Sequence, residues 1–245
     1  MPRERGGGLS PVAGQTQPFD DGQAQLLDHG QAQLLDAAAV TFAALGMLLY
    51  QEPDEARIGH LLEEGFFAAI PFADDEPQVA EGIALLDAWT REAASRELAD
   101  VVAELGREWL RLLVGYGEPE APPWATWYFE KDPVIFGSKT LEVRQWYARY
   151  GLELERKYHE PDDHLGLMLQ FLALLISRES EAQVAGEAQT AKRYQQEQRD
   201  FLEQNILPWL PNWQARVAEK AKISFYRGLA LLIGGALRTF SLRLC

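Results

Sequence analysis

Residues 160–166 read Glu-Pro-Asp-Asp-His-Leu-Gly: three carboxylates and an imidazole within five residues, directly ahead of the almost wholly apolar run LMLQFLALLI. Four kinds of chemistry suit such a group. It could hold a metal ion, activate a nucleophile, open a helix, or grip a cationic peptide. A metal site needs ligands converging on one face, but His159 and His164 are five apart, and neither HxxxH nor HExxH spacing is present. A hydrolase needs a nucleophile held by His164 and a third group. No GxSxG occurs, and the single cysteine is Cys245. The glycine fingerprints of nucleotide sites are missing as well. The expectation is therefore no catalytic residue, no metal and no cofactor.

Two accounts remain open on these residues. Pro161 suits the first position of a helix, with Glu160 in the capping region and Asp162 and Asp163 in the first turn, facing the positive end of the helix dipole. That is sufficient as a helix start. Alternatively, the acidic side chains beside His164 grip a peptide that carries arginines and an apolar stretch, because carboxylates pair bidentately with guanidinium.

Whatever the cluster does, helices must position it. Residues 37–50 and 54–70 have helical periodicity. Leu98, Val101, Val102, Leu105, Trp109, Leu112 and Leu113 fall on one 3.6-residue stripe. Ser138 suits the cap of a helix carrying Val143, Trp146, Tyr147 and Tyr150, with Gly151 as its stop. Residues 162–178 are apolar nearly all round, as a central buried helix would be. A polar stretch (181–204) and residues 224–240 complete the set, and strand alternation is nearly absent. The expected fold is all-α, a single helical-bundle domain of about eight to ten helices. The exception is 115–137, with four prolines, three glycines and six aromatics. So long a stretch without helical periodicity is uncommon in a compact domain and usually functional. Aromatics beside prolines also make a surface suited to peptides.

At the N-terminus, residues 1–22 are Gly-, Pro- and Gln-rich without an apolar core, which reads as a disordered leader rather than a signal peptide. The helical domain is expected over 23–245. GQAQLLD occurs twice, at 22–28 and 30–36. A shift of eight residues leaves the copies about 80° out of phase on one helix, so this is a local duplication at a domain edge, not a repeat array. The net charge is −14, against a nucleic-acid partner and in favour of cationic ones. One cysteine excludes a disulfide framework and fits a reducing compartment. No segment is counted as reaching the ~18 apolar residues of a spanning helix, and the cytoplasm is the expected location.

Residues 109–137, 141–169 and 224–240 resemble the TorD/DmsD family of redox-enzyme maturation chaperones, a likeness extending over roughly 37–242. It rests on the Glu-Pro-acidic-Asp-His run after an Arg-Gln-Trp helix, and on the loop pattern Pro122-Pro123-Trp124 with Phe136-Gly137, which points to the dimethyl-sulfoxide-reductase branch. The resemblance implies an all-α chaperone, not an enzyme. It would bind the twin-arginine leader of a molybdopterin oxidoreductase precursor until cofactor insertion, as a monomer or domain-swapped dimer, with cofactor-biosynthesis proteins as further partners. Carried onto matching positions, the leader surface comprises Trp109, Leu112, Leu113, Pro123, Trp124, Gly137, Glu160, Pro161, Asp163 and His164. Gly117 departs from an aromatic usual in that branch, and Tyr116 is expected to substitute for it. Asp163 is expected to accept the arginine, and His164 to hydrogen-bond and change charge near neutral pH. The alternatives are a nucleotide-binding or hydrolysing enzyme, and an assembly factor for the same oxidoreductase that does not bind its leader.

Overall fold

The computed structural model describes residues 20–64, 67, 70–72, 76–115, 117–129, 136–153 and 161–244, those at 20–29, 63 and 64 as backbone only. Ten α-helices are present among them. In chain order they are α1 (Asp20–Tyr50), α2 (Glu55–Glu64), α3 (Pro77–Ala93), α4 (Leu98–Trp109), α5 (Thr126–Phe129), α6 (Ser138–Arg149), α7 (Leu165–Val184), α8 (Ala188–Phe201), α9 (Leu210–Lys220) and α10 (Ser224–Arg243). Two π-helical turns, Leu110–Val114 and Leu202–Ile206, prolong α4 and α8. The all-α architecture matches the periodicity, and no strand occurs among the described residues.

Two close helix pairs, α1 on α7 and α3 on α10, form most of the core, and α8 also packs against α7. The first pair is close because of glycine. A Cβ on Gly46 would stand 2.5 Å from the Gly166 carbonyl oxygen, and one on Gly166 would stand 2.6 Å from that of Gly46. The backbones therefore touch where α7 begins, and the same approach recurs between Gly82 and Gly228. Around α7, Phe171 meets Tyr147 at 4.9 Å and Phe201 at 4.9 Å, while Trp146 meets Phe201 at 5.4 Å. These edge and tilted contacts tie α6 and α8 onto α7.

Three expectations are corrected. First, α7 does not begin at Pro161. Pro161–His164 form a turn, closed by the His164 N–H on the Pro161 carbonyl (3.3 Å), and the helix starts at Leu165. His164 is the cap, its Nδ1 accepting the Gly166 N–H at 3.0 Å. Asp162 and Asp163 thus lie ahead of the first turn, where side chains from other elements claim them. Second, the 115–137 stretch is not free of helix, since α5 forms one turn within it. Among its described residues Pro119, Ala121, Pro122, Pro123, Ala125 and Thr126 are buried.

Third, Gly30–Tyr50 within α1 is long and apolar enough to cross a membrane by length and composition, with half of its most apolar window buried in the bundle. Counting uninterrupted apolar residues missed this because Asp36, Thr41 and Gly46 break the run, while the leucines and alanines on either side keep its mean hydropathy high. In the second GQAQLLD copy Leu35 is buried and Leu34 half-exposed, as a single helical face requires. Side chains of the first copy, residues 1–19 and Cys245 lie outside the described residues.

Candidate functional site

The site is built where four chain segments meet: the last turn of α1, the end of α4, the loop at 121–126 and the turn before α7. Along α4, Val101 and Leu105 are buried and Leu98, Val102 and Trp109 half-buried, as the stripe required. The π-turn then adds a residue, so that Leu112 and Leu113, adjacent in sequence, are both fully buried. Gly115 ends it at φ 75°, a left-handed conformation that glycine adopts without strain. Trp109 is anchored by its indole N–H, which donates to the Leu49 carbonyl on α1 at 3.1 Å.

From there the chain doubles back. The Ala121 N–H donates to the Leu112 carbonyl at 2.7 Å. The loop then runs alongside the acidic turn, where Leu165 N–H donates to Pro123 O (2.7 Å) and Ala125 N–H to Asp163 O (3.1 Å). Trp124 and His164 form an isolated antiparallel bridge, their rings edge to face at 6.1 Å. Tyr50 of α1 also approaches the imidazole edge to face, at 5.1 Å.

The two aspartates have separate jobs. Asp163 is closed to solvent. Its Oδ2 accepts the Thr126 backbone N–H at 2.7 Å and its Oδ1 the Thr140 hydroxyl at 2.7 Å. One carboxylate thereby fastens α5 and α6 to the turn. Asp162, also buried, takes Arg144 Nε at 3.0 Å and Nη2 at 2.7 Å on its Oδ2, while its carbonyl accepts the Tyr147 hydroxyl at 3.0 Å. Burial, reinforced by the negative charges of Asp162 and Asp163, pushes the Tyr147 phenol well above its ordinary range, so it stays a donor.

Burial also lowers the His164 pKa to about 3. This corrects the expectation that its charge changes near neutral pH. A neutral imidazole is what the cap requires, because Nδ1 must keep its lone pair for the Gly166 N–H.

Trp109, Pro123, Trp124, Pro161, Asp163 and His164 are thus brought together, with Leu112 and Leu113 in the core behind them. Gly137 sits half-exposed just ahead of α6, three residues before Thr140. Tyr116 and Glu160 lie outside the described residues. Trp109 and Trp124 are half-buried, whereas Pro123, Pro161, Asp163 and His164 are buried. Sequence reasoning missed Thr126, Thr140, Arg144, Tyr147 and Tyr50. For Arg144 and Tyr147 a signal existed, since residues three apart share a helix face and both lie in the helix just before the acidic run. Among the described residues no group of three His, Cys, Asp or Glu is arranged to hold a metal ion.

A family model described as nitrate reductase delta subunit matches residues 73–215. The chain is 27% identical over 198 residues to the Tat proofreading chaperone DmsD of Salmonella typhi, a match covering 79% of this chain and 84% of that protein. It is 30% identical over 134 residues to the chaperone protein TorD of Vibrio vulnificus, covering 55% of this chain and 61% of that one. A crystal structure of a redox enzyme maturation protein from Archaeoglobus fulgidus overlaps 78% of this chain and 90% of its own, at 20% identity and a TM-score of 0.45.

Proposed function

The chain belongs to the nitrate reductase delta subunit family, with redox-enzyme maturation chaperones of the DmsD and TorD type among its relatives, and on that premise we propose that it binds the twin-arginine leader of a molybdoenzyme precursor. The relatives named are chaperones, not enzymes. In the cytoplasm the chain holds the precursor until its cofactor is in place, and then releases it for export.

The observation that carries this reading is the lacing of loop to turn. The 121–126 loop and the turn before α7 are joined by three backbone-donated bonds, two of which make up the Trp124–His164 bridge, and Trp109 is pinned beside them. That arrangement is rigid, and rigid elements pre-organise a binding surface at lower entropic cost. Trp109 and Trp124, which retain exposure, make the peptide contact together with Tyr116. Leu112, Leu113, Pro123 and Pro161 shape the wall behind them, with Gly137 at its edge. Asp163 and His164 act by positioning. The net charge of −14 favours a cationic leader.

Isothermal titration of the purified protein with the twin-arginine leader peptide of a molybdoenzyme catalytic subunit tests the proposal. Saturable binding of one peptide per chain is expected. A leader that gives no binding, with the protein folded, refutes it.

A further inference from the structure

An arginine stands on the π-turn between Trp109 and Leu112, and its guanidinium reaches the joint between α9 and α10. Arg111 Nε donates to Glu108 Oε2 at 2.9 Å and its Nη2 to Glu108 Oε1 at 2.8 Å. Nη2 also donates to the carbonyl of Lys220, the last residue of α9, at 2.8 Å. Nη1 lies 2.5 Å from Glu120 Oε2. Glu108 is buried and accepts the Lys222 N–H as well, at 2.6 Å. One guanidinium thus joins three segments: the end of α4, the base of the proline-aromatic loop and the α9–α10 joint.

We propose that Arg111 is a positioning residue for leader recognition: gripping Glu120, it holds the base of the loop against α4 and so sets where Trp124 stands relative to Trp109. The inference rests on the leader-binding function above and adds to it what keeps the two tryptophans in register.

The connectivity favours this role. Trp109 and Trp124 are fifteen residues apart, and the Arg111–Glu120 pair closes the chain between them, leaving arms of two and four residues. Glu120 is held on its backbone too, its N–H donating to the Arg111 carbonyl at 3.4 Å and its carbonyl accepting Arg216 Nε of α9 at 3.0 Å. The bonds at Pro123 and Ala125 tie the loop to the turn before α7, whereas those at Glu120 and Ala121 tie it to α4. Arg111 beside it holds the Glu120 carboxyl below its usual range, so the pair is charged at neutral pH. A planar fork serves acceptors lying in different directions, which an ammonium on one nitrogen does not. The Glu120 side chain is 41% exposed, and ion pairs so placed add little to global stability. Loop position can therefore be altered there without unfolding the chain.

The test pairs calorimetric titration of the full chain with a twin-arginine leader peptide and amide hydrogen exchange in the free protein. The variants are Arg111→Lys and Glu120→Gln, each alone and combined with Trp124→Ala. Arg111→Lys keeps the charge and loses the fork; affinity should fall about tenfold, within the range by which residues away from a ligand act. Glu120→Gln should weaken binding about two- to fivefold while melting within about 4 °C of wild type. In both, the Ala121 amide, bonded to the Leu112 carbonyl in the fold, should exchange faster. With Trp124→Ala in place, neither should weaken binding further, because the side chain they position is gone. Losses that add to that of Trp124→Ala would reveal a direct or purely electrostatic effect and overturn the proposal. Unchanged exchange or unchanged affinity in the folded variants would overturn it too. Should Arg111→Lys fail to fold, Glu120→Gln decides. If wild type binds no leader, the function proposed above fails and the recognition role of Arg111 falls with it; faster exchange would then mark a clamp of structure alone.

Discussion

Replacing Asp163 separates a carboxylate that positions from one that touches a ligand. It accepts two hydrogen bonds, from the Thr126 N–H and the Thr140 hydroxyl, both 2.7 Å and both in the buried interior. Hydrogen bonds to charged groups contribute about 1.5–3 kcal/mol each, so Asp163→Ala should cost about 3–6 kcal/mol. Asp163→Asn keeps the shape. Its amide oxygen can still accept from Thr126, while the amide N–H faces Thr140, whose hydroxyl can turn to the Thr126 hydroxyl 3.3 Å away. What is lost then is charge assistance, roughly half the strength of each bond, or about 1.5–3 kcal/mol. In a protein of this size 1 kcal/mol moves the melting temperature by about 2–4 °C. Thermal melting followed by circular dichroism should therefore show falls of about 6–24 °C for Ala and about 3–12 °C for Asn. Leader affinity of Asp163→Asn, measured where it is folded, should fall less than that of Trp124→Ala. An alanine variant that melts with wild type yet no longer binds leader would refute this account and make Asp163 a surface contact.

His164 gives a pH-dependent prediction. Its pKa is about 3 in the fold and about 6.5 when unfolded, so the unfolded chain binds the extra proton and stability declines as pH falls from 6.5 toward 3. His164→Asn, which retains a capping acceptor, should reduce the loss between pH 7 and 5 by about 2 kcal/mol; an unchanged acid limb in denaturant titrations, or a His164 resonance titrating near pH 6.5, contradicts it. Gly46→Ala should force α1 off α7, costing about 1–3 kcal/mol as overpacking does, and an unchanged melting temperature would show that the contact yields freely. Arg144→Gln strips the charged partner from buried Asp162 and should destabilise by about 1.5–3 kcal/mol; denaturant midpoints equal to wild type would count against that pairing.

The helices were legible because their apolar stripes are long. The α4 stripe and the apolar α7 both stand where periodicity put them. Where α7 starts was not legible, because a proline followed by two aspartates imitates a helix start, while the actual cap is a histidine, outside the usual Ser/Thr/Asp/Asn set. The role of Asp163 was hidden for another reason. Its partners Thr126 and Thr140 lie 37 and 23 residues away, and no local pattern links them. Its burial likewise follows from the 121–126 loop folding over the turn, which the proline-aromatic composition of that loop left open. The Gly46–Gly166 contact was legible in part, since an isolated glycine within an apolar helix marks a close approach of backbones.

The most direct measurement of the central claim is calorimetric titration of the chain with the twin-arginine leader of a molybdoenzyme precursor, beside the same leader with both arginines replaced by glutamate. The account predicts saturable binding of one native leader per chain, weakened by the glutamate replacement because the chain carries a net charge of −14. A folded protein that gives no saturable heat with the native leader contradicts it.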